Sequence, residues 1–397
     1  MILPPRVRGS SIASDTPFAY DFAAIVRQRG TQLFAYSREG RLLAKGVAGQ
    51  DDENVLSAAM DELTKGRSWY ERLVIAAHLK LTKFPTIEQD YTIIDCQGVL
   101  ERSSPQNDEF ITIRNCNNVI WRGGEIFEPY ALNSPSLGLF YAVSVYNLSI
   151  SNVYLHDGVN ANMYIRNCDA YFIYECIAKS MMLASGASDD TGSIVTKGGW
   201  GVIHATLSGG AVTDRGIYTE GQTIIAECNV YGMQEGDGIL LSSQKGMVVN
   251  SIIHDNYYTG IVADANENII IGNRLYGNGI GISSMVNPNA KSVVIGNDFS
   301  GQPSPISGSV VGVVRNNIGY VSENGGKAVF NGDGTTTQFA IAHGLSKAPE
   351  HVVVTPGSAD AMGDYYATTD SSSIYVNYAA APPAGTNNVV LFWYAEV

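Results

Sequence analysis

The sequence predicts an all-β solenoid, a stack of short parallel strands wound coil upon coil, over most of its 397 residues. Two periodic tracks carry that reading. The first is a short apolar strand closed by a polar residue: Asn147-Leu-Ser-Ile-Ser-Asn-Val, Ala170-Tyr-Phe-Ile-Tyr-Glu-Cys, Gln222-Thr-Ile-Ile-Ala-Glu-Cys, Lys245-Gly-Met-Val-Val-Asn-Ser, Asn268-Ile-Ile-Ile-Gly-Asn-Arg, Ser292-Val-Val-Ile-Gly-Asn-Asp and Gly312-Val-Val-Arg-Asn-Asn. The closing residues stand at 152, 175, 227, 250, 273, 297 and 317, and the one double gap contains Trp200-Gly-Val-Ile as an intervening copy. The second track is a glycine before an apolar strand, at Gly216, Gly238, Gly260 and Gly281. Composition agrees: 42 Gly and 22 Tyr with only 16% charged residues suit many short strands and turns.

Two tracks at one period mean at least two strands per repeat. Strands this short bury an apolar face only when coils stack, at roughly 4.8 Å per coil. The period is too short for a propeller blade and carries no helical pattern. Asn suits the strand-closing position because it tolerates a left-handed turn and can form a hydrogen-bonded ladder. With weaker copies near Ile93 and Ile120 the repeat spans about 90–320, so we assign residues 84–320 to the solenoid.

A solenoid needs covered ends. Within 1–83, Phe22 to Tyr36 reads as a hairpin turning at Gly30. Asp51 or Asp52 then caps a helix whose Val55, Leu56, Ala59, Met60 and Leu63 share one face and plug the first coil. Residues 321–397 lose the period and alternate, as in Glu350-His-Val-Val-Val-Thr and Asn388-Val-Val-Leu-Phe-Trp-Tyr, which predicts a small β-sandwich.

Charge and cysteines exclude several functions. The formal net charge is −13: residues 1–83 hold 12 Lys/Arg against 9 Asp/Glu, and the rest 13 against 29. An acidic body without a basic cluster argues against nucleic acid as a partner. No run of about 18 uncharged apolar residues is present, so no membrane insertion is expected. The N-terminus lacks the apolar core of a secretory signal. Cys96, Cys116, Cys168, Cys176 and Cys228 form no CxxC pair, and read as buried free thiols.

The order of hairpin, helix and Asn-closed repeats resembles the pectate-lyase-like superfamily of right-handed parallel β-helices. The stretches Phe339-Ala-Ile-Ala-His-Gly-Leu, Val353-Val-Thr-Pro and Phe392-Trp-Tyr-Ala-Glu-Val resemble small modules that end viral tailspike and tail-fibre proteins and some archaeal and metagenomic β-helix proteins. The fold hosts lyases, hydrolases, epimerases and adhesins, so chemistry has to come from the site. The polygalacturonase, pectate-lyase and alginate-epimerase motifs are absent, and the solenoid's 22 acidic against 11 basic residues repel a polyuronate unless calcium bridges the charges. The resemblance therefore implies a virion- or cell-surface protein, extracellular in location, that binds a polysaccharide or surface glycan and in its catalytic form hydrolyses it. The alternatives are a secreted polysaccharide hydrolase or lyase, and a non-catalytic structural or adhesin solenoid.

Hydrolysis needs two carboxylates across the glycosidic bond. Period alignment puts Asp214, Glu235 and Asp237 on one edge of neighbouring coils as candidate catalytic groups, with Arg215, Tyr257 and Tyr258 as substrate-binding neighbours. The same Asp-Gly pattern is also ordinary turn chemistry. An insertion around 184–193 adds Asp189 and Asp190 as groups for substrate or a cation, or as decoration of a loop tip. His156-Asp157 and His254-Asp255 recur at one offset, which favours a turn. No metal site and no cofactor is expected beyond a calcium ion. The apolar run Val389-Val-Leu-Phe-Trp-Tyr is hard to cover within a 77-residue module, which predicts packing against symmetry mates, and the tailspike resemblance implies that the assembly is a homotrimer; the alternative makes the run the central strand of a monomeric sandwich.

Overall fold

The computed structural model describes residues 22–104, 108–129, 138–179, 191–209, 215–284, 291–308 and 311–397. The fold is all-β, a right-handed parallel β-helix followed by two small antiparallel sheets. Each complete coil contributes three strands. One coil runs Thr259–Ala263, Ile269–Ile271 and Arg274–Tyr276 before Ile280–Ser283 opens the next. Stacked in parallel, the coils build three faces. Sheet 1 contains Ile111–Arg114, Phe140–Val143, Arg215–Thr219, Asp237–Leu241 and Thr259–Ala263. Sheet 2 contains Glu71–Ala76, Thr92–Cys96, Gln222–Ala226, Met247–Val249 and Lys291–Ile295. Sheet 3 contains His78–Leu81, Val99–Arg102, Asn229–Tyr231, Ile252–His254 and Arg274–Tyr276. Met163–Lys179 and Ile194–Ser208 are long enough to pass through all three faces, with bulges after Asp169 and Tyr174. Coil-to-coil stacking already includes Glu71–Ala76, ahead of the residue 84 assigned from the repeat, because this coil lacks the closing Asn on which that boundary rested.

The corners explain the asparagines. Half of the eighteen non-glycine residues at positive φ among the described residues are Asn, the side chain that best tolerates that region. Where sheet 2 turns into sheet 3, left-handed residues are Gly123, Asn152, Glu175, Glu227, Asn250, Gly272, Gly296 and Asn316, whereas Ile194–Ser208 makes the same corner without one. The sequence period merged two positions here. In the first four copies the closing residue is itself left-handed. In the later ones Asn273, Asn297 and Asn317 follow the left-handed residue and point inward, in the same file as Val153, Cys176, Cys228 and Ser251. That file becomes a ladder: Asn297 Oδ1 accepts the Asn273 backbone N–H and Nδ2–H at 3.0 Å each, and Asn317 Oδ1 does the same for Asn297 at 2.9 and 3.1 Å. A second ladder, Asn256–Asn278–Gln302, closes the corner after sheet 3. All five cysteines are free and buried; burial pushes the Cys96, Cys116 and Cys228 thiols up to about 12, so they act as small apolar fillers.

Inside, like stacks on like: Ile217, Ile239, Ile261 and Ile282 are fully buried in register, as are Ile225, Val248, Ile270 and Val294. Each such side chain contributes about 1.5–3 kcal/mol. At the N-terminal end Ala24–Arg29 and Gln32–Ser37 form the hairpin about Gly30, Leu42–Val47 adds a third strand, and Ala24 to Arg27 pair in parallel with Leu73 to Ala76. The helix Asp52–Met60 buries Val55, Leu56 and Ala59 against this end. Asp51 takes the N-cap position as expected, but neither aspartate side chain caps the helix. Asp51 Oδ2 accepts Val47 N–H at 2.8 Å, and Asp52 accepts Gly49 N–H and Lys80 N–H at 2.6 Å each. Both carboxylates are spent on orphan amides of the preceding turn and the first coil.

The C-terminal strands Glu323–Gly332, Gly385–Glu396 and His351–Pro356 make one antiparallel sheet, and Gln338–Ala342, Ser373–Tyr378 and Tyr365–Thr369 the other. They share a core of Phe339, Ile341, Ile374, Val376, Val389 and Leu391. The apolar C-terminal run is thus a central strand, yet only one of its faces is covered: Phe392 and Tyr394 are exposed beside Val353.

Sheet 2 also presents an outer face. One outward file reads Phe172, Val202, Ile224, Met247, Ile269, Val293; the next, two residues on, reads Tyr174, His204, Ala226, Val249, Ile271, Ile295. Over these six coils neither contains Asp, Glu, Lys or Arg, whereas the second continues to Arg315 at one end and through Ser151 to Arg122 at the other.

Candidate functional site

The glycine track is a steric requirement. A Cβ at Gly238 would sit 2.6 Å from the carbonyl oxygen of Gly260, and one at Gly260 would sit 2.8 Å from that of Gly281. Coils approach so closely here that the residue just ahead of each glycine is held in fixed register with its counterparts. Arg215 therefore pairs with Asp237 across one coil step, and Thr259 follows on the next. Asp237 is buried, and its Oδ1 accepts the Thr259 backbone N–H at 2.8 Å. Its carboxylate thus has a structural task, joining two coils.

The turns that lead into these strands carry the other candidates. Tyr257 N–H donates to Met233 O at 2.8 Å and Tyr258 N–H to Gly236 O at 3.2 Å, which sets the two tyrosines beside exposed Glu235 on the adjacent coil. The rings meet edge to face with centroids 4.8 Å apart, and both stand well into solvent, 64% and 54% exposed. Such a pair offers flat apolar faces and two hydroxyls at low conformational cost. Asp214, Asp189 and Asp190 lie outside the described residues.

Beyond the glycines the outward face of sheet 1 holds a file that sequence reasoning missed: Tyr141, Tyr164, Val195, Tyr218, Leu240 and Val262. Lys197 Nζ and the Arg215 guanidinium each lie 5.6 Å from the Tyr218 ring centre. The Tyr218 hydroxyl donates to Glu220, which also pairs with Lys197 at 3.3 Å. The 23-residue spacing of Tyr141 and Tyr164 was the available signal, masked because the intervening positions are aliphatic. Tyr164 and Tyr218 are buried, so this file stiffens the face from which Arg215, Glu235 and the exposed tyrosines project.

The two His-Asp pairs share one geometry. His156 Nδ1 lies 2.7 Å from Asp157 Oδ2, and His254 Nδ1 2.7 Å from Asp255 Oδ2, with each aspartate left-handed. His254 is stacked between Tyr231 and Tyr276. Both rings are corner elements of sheet 3. Among the described residues no three His, Cys, Asp or Glu side chains converge as ligands for a metal ion.

No sequence family and no curated protein matches the chain. Solved structures do. The Geobacillus virus E2 protein ORF18 aligns over 89% of this chain and 85% of its own, with a TM-score of 0.57 and 10% identity. The chain shares its fold with that viral protein. Weaker alignments reach the tailspike gp61 of Pseudomonas phage phi297 (TM-score 0.40, 14% identity, 83% of this chain and 67% of that one) and a tailspike of E. coli bacteriophage HK620 solved with a pentasaccharide (0.40, 10%, 91% and 92%). At these identities the likeness concerns the fold.

Proposed function

We propose that this tailspike-like β-helix binds a polysaccharide or cell-surface glycan along the edge of sheet 1. The observation that carries the reading is the exposed Tyr257–Tyr258 pair, set by coil-to-coil hydrogen bonds beside Glu235 and next to the Arg215–Asp237 step. A sugar ring stacks on a tyrosine face while its hydroxyls take hydrogen bonds from the guanidinium and give them to the carboxylate. Binding without turnover is favoured over hydrolysis, because Asp237 already holds the Thr259 amide and is withdrawn from solvent. In the hydrolytic version Asp214, Glu235 and Asp237 would supply the acid and base, with Asp189 and Asp190 adding substrate or calcium contacts. A glycan array read together with reducing-sugar release separates the versions. Binding by the full chain, lost in Y257A/Y258A without release of reducing ends, is the expected result. Release abolished by E235Q and D237N would establish hydrolysis instead, and no retained glycan would end the proposal.

The same reading places the protein on a virion or cell surface and makes it a homotrimer. The apolar outer files in the middle of sheet 2 and the exposed Phe392, Tyr394 and Val353 support the assembly, since apolar area left in water is recovered when copies of the chain meet through it.

A further inference from the structure

A cleft of about 290 Å³ opens at the N-terminal end of the solenoid, on the opposite side of the sequence from the tyrosine pair. Three elements meet there: the turn after Gln32–Ser37, the segment that leaves the helix, and the start of the first coil. Its walls include Arg38, Glu39, Trp69, Tyr70, Glu71 and Arg72.

Two large aromatics stand in the open at this cleft. Trp69 is 54% exposed and Tyr70 43% exposed. Neither hangs loose. The Trp69 indole N–H donates to Glu71 Oε1 at 3.3 Å, and the Glu71 carboxylate is itself fixed by the Thr64 backbone N–H at 2.7 Å and hydroxyl at 2.8 Å. Tyr70 is braced edge-on by Tyr91, with ring centres 5.5 Å apart. Exposed but pre-positioned rings are what a ligand needs and what folding alone does not require, since leaving apolar area in water forgoes burial energy.

Polar groups with spare capacity face the same space. Arg72 spends one terminal nitrogen on Asp95, and its side chain remains about one-third exposed at the cleft. The Arg38 side chain makes no hydrogen bond among the described residues and is offset by the charge of Glu39, whereas neighbouring Arg41 is paired with Glu62 at 3.0 Å through both carboxylate oxygens. Glu39 and Glu71 add acceptors.

We propose that this cleft is a second carbohydrate site, separate from the sheet 1 edge, that takes one neutral sugar residue, a hexose or N-acetylhexosamine. Aromatic faces receive the apolar side of the ring, and the guanidinium and carboxylate groups divide its hydroxyls. Three glutamates, at 39, 62 and 71, line a cleft with two arginines, of which Arg72 is already paired; this balance opposes phosphorylated or uronate ligands. Several coils separate the cleft from Tyr257, on the order of 30–40 Å at the spacing of stacked strands, so both sites can engage one polymer and gain avidity.

The test uses the full chain and saturation-transfer NMR with glucose, galactose, mannose, N-acetylglucosamine, N-acetylgalactosamine and glucuronate as probes. At least one neutral sugar should give transfer to wild type and to Y257A/Y258A. That transfer should weaken about tenfold in affinity in W69A. Y70A should weaken it too, and W69F should fall between, keeping a ring but losing the Glu71 tether. Circular dichroism confirms that each variant is folded, and a variant that fails to fold is replaced by W69F with R38A. Transfer unaffected by W69A, W69F and R38A overturns the site, as does the absence of transfer from every neutral probe. A preference for glucuronate overturns the neutral class. Binding that disappears in Y257A/Y258A but persists in W69A would refute this site while leaving the sheet 1 edge intact.

Discussion

Asn297 shows what one residue contributes when its whole surface is used. It donates from Nδ2 to Asn317 Oδ1 and to Ile270 O, and its Oδ1 accepts two N–H groups of Asn273. Asn297→Ala should cost about 2–4 kcal/mol, because several buried groups on both neighbouring coils lose partners at once. Urea unfolding reads the loss; a change below about 0.5 kcal/mol would mean that water replaces the amide. Gly260→Ala tests the opposite limit. Its new Cβ would meet the Gly281 oxygen at 2.8 Å and Asn278 Nδ2 at 3.0 Å. The coils have to separate, so we expect a loss of about 1–3 kcal/mol rather than the usual gain from stiffening the unfolded chain. A melting temperature equal to wild type would show that the stack gives way without cost.

Between strands, the electrostatic weak point is a buried ion pair on adjacent coils of sheet 3. Arg102 and Glu128 are both fully buried and 3.3 Å apart, Arg102 also reaches Asp108 at 2.7 Å, and Glu128 Oε1 has no hydrogen-bond partner. Burial pushes the Glu128 carboxyl above the ordinary glutamate range, and the Arg102 charge pulls it part of the way back. The folded chain therefore holds this proton more tightly than the unfolded chain. The associated stability is fully present below the ordinary carboxylate range and is lost as pH rises from there through the raised value. Glu128→Gln should remove that part of the pH dependence, which begins at the ordinary glutamate range and extends above it. A wild-type-minus-variant stability difference that stays flat over the range would contradict the assignment. Glu128→Ala should be worse, by up to about 3–5 kcal/mol, since it leaves the buried guanidinium with Asp108 as its remaining carboxylate.

At the level of the whole molecule, assembly is the property to measure. Light scattering at micromolar concentration should give three times the 42.6 kDa chain mass; a mass equal to one chain would refute the trimer. Two disruptions locate the contact. Ile224→Lys with Ile271→Glu places charges in the apolar outer files in the middle of sheet 2 and should yield a folded monomer if that face carries the assembly. Removal of residues 321–397 should do so if the C-terminal sheets carry it. Both leave the solenoid core untouched, so the far-UV spectrum should stay strand-dominated in each case.

The period alone determined the solenoid, because coils repeat the same inward and outward choice and each copy reinforces the signal of the last. The Gly216, Gly238 and Gly260 track even set the coil register of Arg215, Asp237 and Thr259, since a missing Cβ at one height recurs at the next. The sequence could not separate the left-handed corner residue from the inward ladder residue beside it. Asn serves in both, at Asn250 and at Asn273, and only backbone geometry tells a φ of +49° from a buried amide. It likewise placed Asp51, Asp52 and Asp237 by local pattern, as caps and acids. Their partners turned out to be backbone amides brought close by neighbouring turns and coils, at Val47, at Gly49 and Lys80, and at Thr259. Exposed Trp69 and the cleft beneath it were illegible for the same reason: helix exit, hairpin turn and first coil are adjacent only once the chain has wound back on itself. Repetition along the chain is written in one dimension, whereas the meeting of distant segments is decided by how the coils stack.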